Sequence, residues 1–326
     1  FAECTLLETL LLSIYNYDCA VASAASRMTI AAHGRPCLDM GARRGHERAA
    51  VSAARASVIG GFAGTSDLEA GKRYGIPVIG TAAHAFTLLH DSERQAFDAQ
   101  IASLGPNTTL LVDTYNVTEG VKTAVEAARA AGGELGAVRL DSGDLVAQAF
   151  TVRGQLDALG ATSTKITVTS DLDEYAIAAL GAAPVDSYGV GTRLITGSGV
   201  PTAALVYKLV SREDSDGNMV GVAKKSASKN TVAGKKYAGR LYDEDGYASE
   251  EILFTGSGEE AAAFFEENGA RPLQVPLIVD GEIQSEAWSS QALSEAQAHH
   301  LRSRNELPYQ AWRLSEGEPA IPTRYI

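Results

Sequence analysis

Four short apolar runs begin at residues 109, 137, 165 and 185, so 28, 28 and 20 residues separate successive starts. Each run ends in a polar or glycine-rich turn, and an alanine-rich amphipathic stretch follows. That is the spacing of a strand, a crossover helix and the next parallel strand. Three earlier runs, at 36–40, 57–62 and 77–80, extend the series. Helical stretches fall between them at 47–56, 117–131, 145–159 and 172–180, after a first helix over roughly the opening 30 residues. Seven such runs predict one closed or nearly closed βα barrel, an irregular relative of the eight-fold α/β barrel. After Pro201 the rhythm changes. Ala203–Val210 reads as a strand, Ser215–Asn218 as a turn and Val220–Ala223 as a second strand. The expected organisation is an α/β barrel over 1–205 and a smaller, partly antiparallel β-containing domain over 206–326.

Composition narrows the function. The 326 residues carry 28 Lys+Arg against 40 Asp+Glu, a net charge of −12. An acidic chain is a poor partner for nucleic acid or an anionic membrane, although local basic pockets for small phosphorylated ligands remain open. No run of about 18 apolar residues is present, so no membrane span is expected. The three cysteines have no metal-type spacing and read as reduced thiols of a cytoplasmic protein. The chain starts at Phe1 and runs straight into a helical pattern, which leads us to expect a preceding segment.

In a βα barrel the reacting groups sit at the C-terminal ends of the strands. Every strand end here carries a charge, a histidine, or glycine beside a hydroxyl. Arg43 and Arg44 could grip a phosphate or carboxylate, or be surface cations. His84, after Gly80-Thr81, could serve as acid, base or nucleophile. Asp113 could orient His84, or cap the helix that begins near Val117. Arg139-Leu140-Asp141-Ser142-Gly143-Asp144 is the densest cluster. Its acids suit ribose hydroxyls or a phosphate-held magnesium ion, or a turn and a helix cap. Gly189, Gly191 and Thr192 could bring backbone N–H groups to a phosphate. The basic stretch Lys224–Arg240, which includes Lys229, reads as a solvated hairpin surface. His299-His300 reads as a helix surface.

Taken in order, Leu-Asp-Met-Gly-Ala-Arg-Arg (38–44), Gly-Gly-Phe-Ala-Gly-Thr-Ser (60–66), Gly-Thr-Ala-Ala-His (80–84), Leu-Val-Asp-Thr-Tyr (111–115), Arg-Leu-Asp-Ser-Gly-Asp (139–144) and Tyr-Gly-Val-Gly-Thr (188–192) resemble the nicotinate phosphoribosyltransferases. The ending at 314–323 resembles them too, and the family's N-terminal β-rich segment is not seen. The resemblance implies that nicotinate and 5-phosphoribosyl-1-pyrophosphate (PRPP) give nicotinate mononucleotide and pyrophosphate, a step of NAD biosynthesis. It implies ATP hydrolysis coupled through a phosphohistidine, Mg2+ bound mainly through substrate phosphates, and a homodimer. It places the phosphohistidine at His84 with Asp113 as its acid. Arg43 and Arg139 would hold nicotinate, with Arg44 near phosphate. Asp141, Ser142 and Asp144 would lie by the ribose and the magnesium-bound pyrophosphate. Ser170, Asp171, Gly189, Gly191 and Thr192 would cradle the 5-phosphate. Many relatives have Gly-Gly where Ser170-Asp171 stands, so Asp171 is expected to point away from the anion. The nicotinamide-using relative has an acid where Ser66 stands, which favours nicotinate here. Same-fold enzymes for nicotinamide or quinolinate, or an inactive binding or regulatory homologue, are the competing readings.

Overall fold

The computed structural model describes residues 2–226, 231–284 and 290–326. Phe1 and Lys229 lie outside the described residues. The rest falls into two compact units. One holds Ile14–Ala203 with a short stretch ending at Gln297; the other holds Ala204 onward, the first turns of the chain and Ala298–Ile326.

The first unit is the barrel. Its strands are β1 (Cys37–Asp39), β2 (Gly64–Thr65), β3 (Thr109–Leu111), β4 (Ala137–Leu140), β5 (Lys165–Val168) and β6 (Ser187–Val190). They form one parallel sheet in the order β2-β1-β6-β5-β4-β3. Val78 adds a single parallel bridge to Thr65 outside β2. Read around the sheet from Val78, each strand therefore lies beside its neighbour in sequence, and β1 meets β6 in the middle. Among the described residues no pairing joins the Val78 run to β3, so of the two expected forms, closed or nearly closed, the fully closed one is not met. The Val78 run pairs through a single-residue bridge, an edge too short to carry the sheet onward to β3.

The helices are α1 (Ala2–Ala31), α2 (Glu47–Ile59), α3 (Leu68–Tyr74), α4 (His84–Leu88), α5 (Glu93–Leu104), α6 (Val117–Ala130), α7 (Leu145–Ala158), α8 (Glu174–Ala179) and α9 (Thr192–Ile195). In α1 the buried face is Val21, Ala24, Ala25 and Met28, while Leu6, Leu7 and Leu10 are exposed. The apolar run at 57–62, expected as a strand, is instead the last turn of α2 and its exit. Ala50, Ala53, Ala54, Ser57 and Val58 keep one helical face buried through to that point, so helical packing overrides the run's β-propensity. Gly60 is then required by close approach: a Cβ there would stand 2.6 Å from the Ala25 Cβ on α1. Side-chain caps fix where several helices start. Asp67, Ser92, Asn116, Asp144 and Asp173 each accept from a backbone N–H of the first turn.

The second unit is built on a four-stranded sheet. Strands β9 (Lys236–Tyr242) and β10 (Ala248–Thr255) are antiparallel, flanked by β11 (Arg271–Pro272) and β14 (Thr323–Tyr325); α10 (Gly258–Glu267) packs on it through Ala261 and Phe265. Two small hairpins, β7 (Ser211–Glu213) with β8 (Met219–Gly221) and β12 (Ile278–Val279) with β13 (Glu282–Ile283), and the part of helix α11 (Ser290–Asn305) from Ala298 onward complete its elements. The strand expected over Ala203–Val210 does not form. Ala204 adopts φ +56°, which breaks the extended backbone, and pairing starts only at Ser211. In the basic stretch, Arg240 is tied to Glu251 and Glu306, and Lys236 donates to backbone carbonyls. His299 and His300 lie on α11. No helix among the described residues is long and apolar enough to cross a membrane.

Candidate active site

The strand C-termini of the barrel surround a cavity of about 440 Å³. Its wall takes Arg43 and Arg44 from the turn after β1, Ser66 from beyond β2, and Thr81 from the loop after Val78. Arg139, Asp141, Ser170, Asp171, Gly189, Gly191 and Thr192 come from the ends of β4, β5 and β6. Motifs up to 150 residues apart thus meet because parallel strands all end on the same face.

Arg139 is the anchor of this wall. It is only 8% exposed. Its Nε donates to Thr169 Oγ1 at 2.8 Å, and its Nη2 pairs with Asp141 Oδ1 at 2.9 Å. Its Nη1 donates to Thr81 Oγ1 and to the Ala82 carbonyl. These last bonds cross the open side of the sheet, from β4 to the loop that follows Val78. Of the five guanidinium N–H groups, one on Nη2 is left for a ligand. Thr169 Oγ1 also donates to Asp141 Oδ1. Burial pulls the Asp141 carboxyl upward. The Thr169 and Arg139 hydrogen bonds, then the charges of Arg139 and His84, outweigh it and hold Asp141 below the usual carboxylate range.

Arg43 and Arg44 are different. They sit in one 3-10 turn (Ala42–Arg44), both exposed, and their side chains make no ion pair or hydrogen bond among the described residues. The turn is held from below by Asp39, which is 2% exposed. Its carboxylate accepts from the Gly41 N–H at 2.7 Å and from Thr65 Oγ1 at 2.6 Å. Burial pushes the Asp39 carboxyl up, against those two hydrogen bonds. A Cβ at Gly41 would lie 2.9 Å from Asp39 Oδ1, so only glycine admits this turn.

His84 opens α4 just beyond the cavity wall. Its Nδ1 lies 3.1 Å from Thr114 Oγ1. Its Nε2 faces two carboxylates, Asp113 Oδ1 at 3.9 Å and Asp141 Oδ2 at 3.8 Å. Asp113 was expected to accept directly from His84. It is within electrostatic reach but beyond hydrogen-bond distance. Asp113 Oδ2 accepts from the Asp141 N–H and from Ser142 Oγ, while its Oδ1 is buried without a hydrogen-bond partner. Asn116, not Asp113, caps α6. Asp144 caps α7 by accepting from the Ala147 N–H, and neither it nor Ser142 reaches the cavity wall.

Asp67 turns away from the cavity: it caps α3, with Oδ1 accepting from the Ala70 N–H at 2.9 Å. Ser66 is the residue of that loop on the wall. Asp171, which charge repulsion was expected to turn away, is on the wall as well. Sequence reasoning missed Thr81, Thr114 and Thr169. Each stood inside a quoted motif or at the end of an apolar run, the position from which a strand end addresses the cavity.

The family model of the nicotinate phosphoribosyltransferase (NAPRTase) family matches residues 36–246, which include every residue just described. The chain belongs to the nicotinate phosphoribosyltransferase family. It is 53% identical to nicotinate phosphoribosyltransferase pncB1 of Mycobacterium tuberculosis, over 100% of this chain and 71% of that protein. It is 41% identical to the Bacillus subtilis nicotinate phosphoribosyltransferase, over 76% of this chain and 52% of that protein. Among solved structures, a nicotinate-nucleotide pyrophosphorylase from Pyrococcus furiosus superposes with a TM-score of 0.73 at 27% identity, over 92% of this chain and 73% of the other. The human nicotinic acid phosphoribosyltransferase shares the fold, with a TM-score of 0.73 at 22% identity over 98% of this chain and 74% of the other.

Proposed function

We propose that this chain transfers the phosphoribosyl group of PRPP to nicotinate, forming nicotinate mononucleotide and pyrophosphate in NAD biosynthesis. The observation that carries the reading is the charge pattern of one cavity. It offers unpaired Arg43 and Arg44 for anions, and a serine where an amide-reading acid would stand. Asp67, the next residue along the loop, is spent on a helix cap. Nicotinate's carboxylate meets no negative charge from that loop, whereas nicotinamide finds a hydroxyl but no carboxylate to accept from its N–H there.

The chemistry follows from the groups present. The pyridine nitrogen attacks C1 of the ribose while the C1–O bond to pyrophosphate breaks, and the bonding electrons leave with pyrophosphate. Positive charge grows on the ribose during that exchange, and the Asp141 carboxylate, held ionised by Arg139, is a fixed counter-charge for it. No proton need be moved. Arg44 lies beside Gly191, next to the loop we assign to the 5-phosphate. Arg43 and the remaining N–H of Arg139 are assigned to nicotinate. Asp141 and the buried, unpartnered Asp113 Oδ1 are hard oxygen donors of the kind Mg2+ takes; the ion would arrive mainly on substrate phosphates and neutralise the leaving pyrophosphate.

His84 is our candidate for the phosphorylated residue in ATP coupling. A phosphoryl group there adds roughly two negative charges beside the pyrophosphate position, enough to change substrate affinity. Turnover of nicotinate, nicotinamide and quinolinate, each with and without ATP, in the wild type and His84→Ala, tests the whole reading. Nicotinate should be preferred, and the variant should lose ATP hydrolysis and ATP stimulation while keeping slow ATP-independent transfer. Preference for another pyridine overturns the substrate. ATP coupling that survives in the variant overturns the role of His84.

A further inference from the structure

Among the described residues a single hydrogen bond holds the His84 imidazole, the 3.1 Å contact of its Nδ1 with Thr114 Oγ1. The side chain is 39% exposed, and a ring this open can turn over about its Cβ–Cγ bond and exchange its two nitrogens. Thr114 has no competing duty. Asn116 caps α6, and the Thr114 hydroxyl has no second partner among the described residues. The other edge of the ring faces Asp113 Oδ1 at 3.9 Å and Asp141 Oδ2 at 3.8 Å. Both carboxylates are fixed, Asp113 by the Asp141 N–H and Ser142 Oγ, and Asp141 by Arg139. Two negative charges at Nε2 place the proton of a neutral imidazole there. Nδ1 then carries the lone pair, and the Thr114 hydroxyl donates to it. A ring turned by half a rotation would aim its lone pair at two carboxylates and lose the bond that Thr114 makes to Nδ1. Consecutive residues after β3, Asp113 and Thr114, thus grip opposite edges of one ring.

We propose that Thr114 is a positioning residue for the phosphorylation of His84, its hydroxyl holding the ring so that Nδ1 is the nitrogen presented to the γ-phosphoryl group of ATP. This rests on the role given to His84 above. In the step, the Nδ1 lone pair forms a bond to the γ-phosphorus. The bond from that phosphorus to the β,γ-bridging oxygen breaks, and its electrons leave with ADP. The ring keeps its Nε2 proton and becomes cationic, facing the two carboxylates, while the Thr114 hydroxyl turns from Nδ1 to a phosphoryl oxygen. The test compares Thr114→Val, which keeps the shape and loses the hydroxyl, with Thr114→Ser, which keeps the hydroxyl. Phosphohistidine formation from ATP labelled in its γ-phosphate, with His84→Ala as the blank, should be about tenfold slower in Thr114→Val, the effect of one hydrogen bond. Thr114→Ser should stay within about twofold of wild type on the same scale. In nitrogen NMR at alkaline pH, the His84 signals are those missing from His84→Ala. The wild type should show a protonated Nε2 and an unprotonated, hydrogen-bonded Nδ1, and only Thr114→Val should lose that hydrogen bond. Equal labelling rates in Thr114→Val and wild type overturn the positioning role and leave His84 in place. Thr114→Ser as slow as Thr114→Val overturns the part played by the hydroxyl. A wild type with its proton on Nδ1 overturns the assignment of the two nitrogens, whatever the variants do. A wild type that takes up no label defeats the role of His84, and the proposal with it.

Discussion

Arg139 and the pair Arg43–Arg44 line the same cavity but are built in opposite ways. Arg139 rises from inside the sheet, is nearly buried, and spends four of its five N–H groups on Asp141, Thr169, Thr81 and Ala82. Arg43 and Arg44 stand on an exposed turn with their guanidinium groups uncommitted. A buried cation left without partners would be very costly, so Arg139 must be satisfied by the fold before any ligand arrives. Exposed cations are solvated and can wait. One arginine is therefore part of the frame, and two are part of the grip.

The largest effect that would break this contrast is expected at Arg139. Arg139→Ala leaves Asp141 without its counter-charge and uncouples β4 from the loop after Val78. It should cost about 3–5 kcal/mol of stability together with nearly all activity, and Arg139→Lys should restore little, because an ammonium cannot bond in four directions. Urea unfolding measures it, and a variant as stable as wild type would end the idea that Arg139 frames the site. A smaller, purely functional effect is expected at the turn. Arg43→Ala and Arg44→Ala should keep the wild-type melting temperature while KM rises about tenfold, for nicotinate in the first and PRPP in the second. Both substrates responding equally to both changes would erase the division of labour.

The smallest effect is the pH dependence of the Arg139–Asp141 pair. The Asp141 carboxyl is held below its ordinary value, so its stabilising contribution is complete above the unfolded pKa of about 3.9 and is lost as pH falls through the lower folded value. The stability gap between wild type and Asp141→Asn should then be flat from pH 7 to 5 and narrow only below about 4. A gap that already closes between pH 7 and 5 would mean that Asp141 is not held by Arg139.

Much of the site was legible because its residues lie within a few positions of strand ends, and strand ends can be counted. Arg43, Arg44, Ser66, Arg139, Asp141 and Gly189 reach one cavity for that reason. The hidden part is of another kind. Asp113 reads as a hydrogen-bond partner of His84, yet Thr114, one residue on, is the group in contact. A one-residue difference turns a side chain to the other side of an extended segment, and a motif does not say which neighbour wins. The run at 57–62 failed for a related reason: β-branched and small residues satisfy a buried helix face as readily as a strand, and only contact with Ala25 on α1 decides.

By itself the amino-acid order determined the βα repeat, the parallel sheet it requires, the end of the barrel that carries the chemistry and the family motifs placed there. Those follow from spacing and from which residues can be buried. The tertiary structure alone decided that the sheet stays open between Val78 and β3, that Arg139 spans the gap, that Asp67 and Asp144 are consumed as helix caps, and that Ser170 holds a glycine's backbone angle. Each of these depends on which polar group finds a partner once distant segments are packed together, and local sequence does not encode that competition.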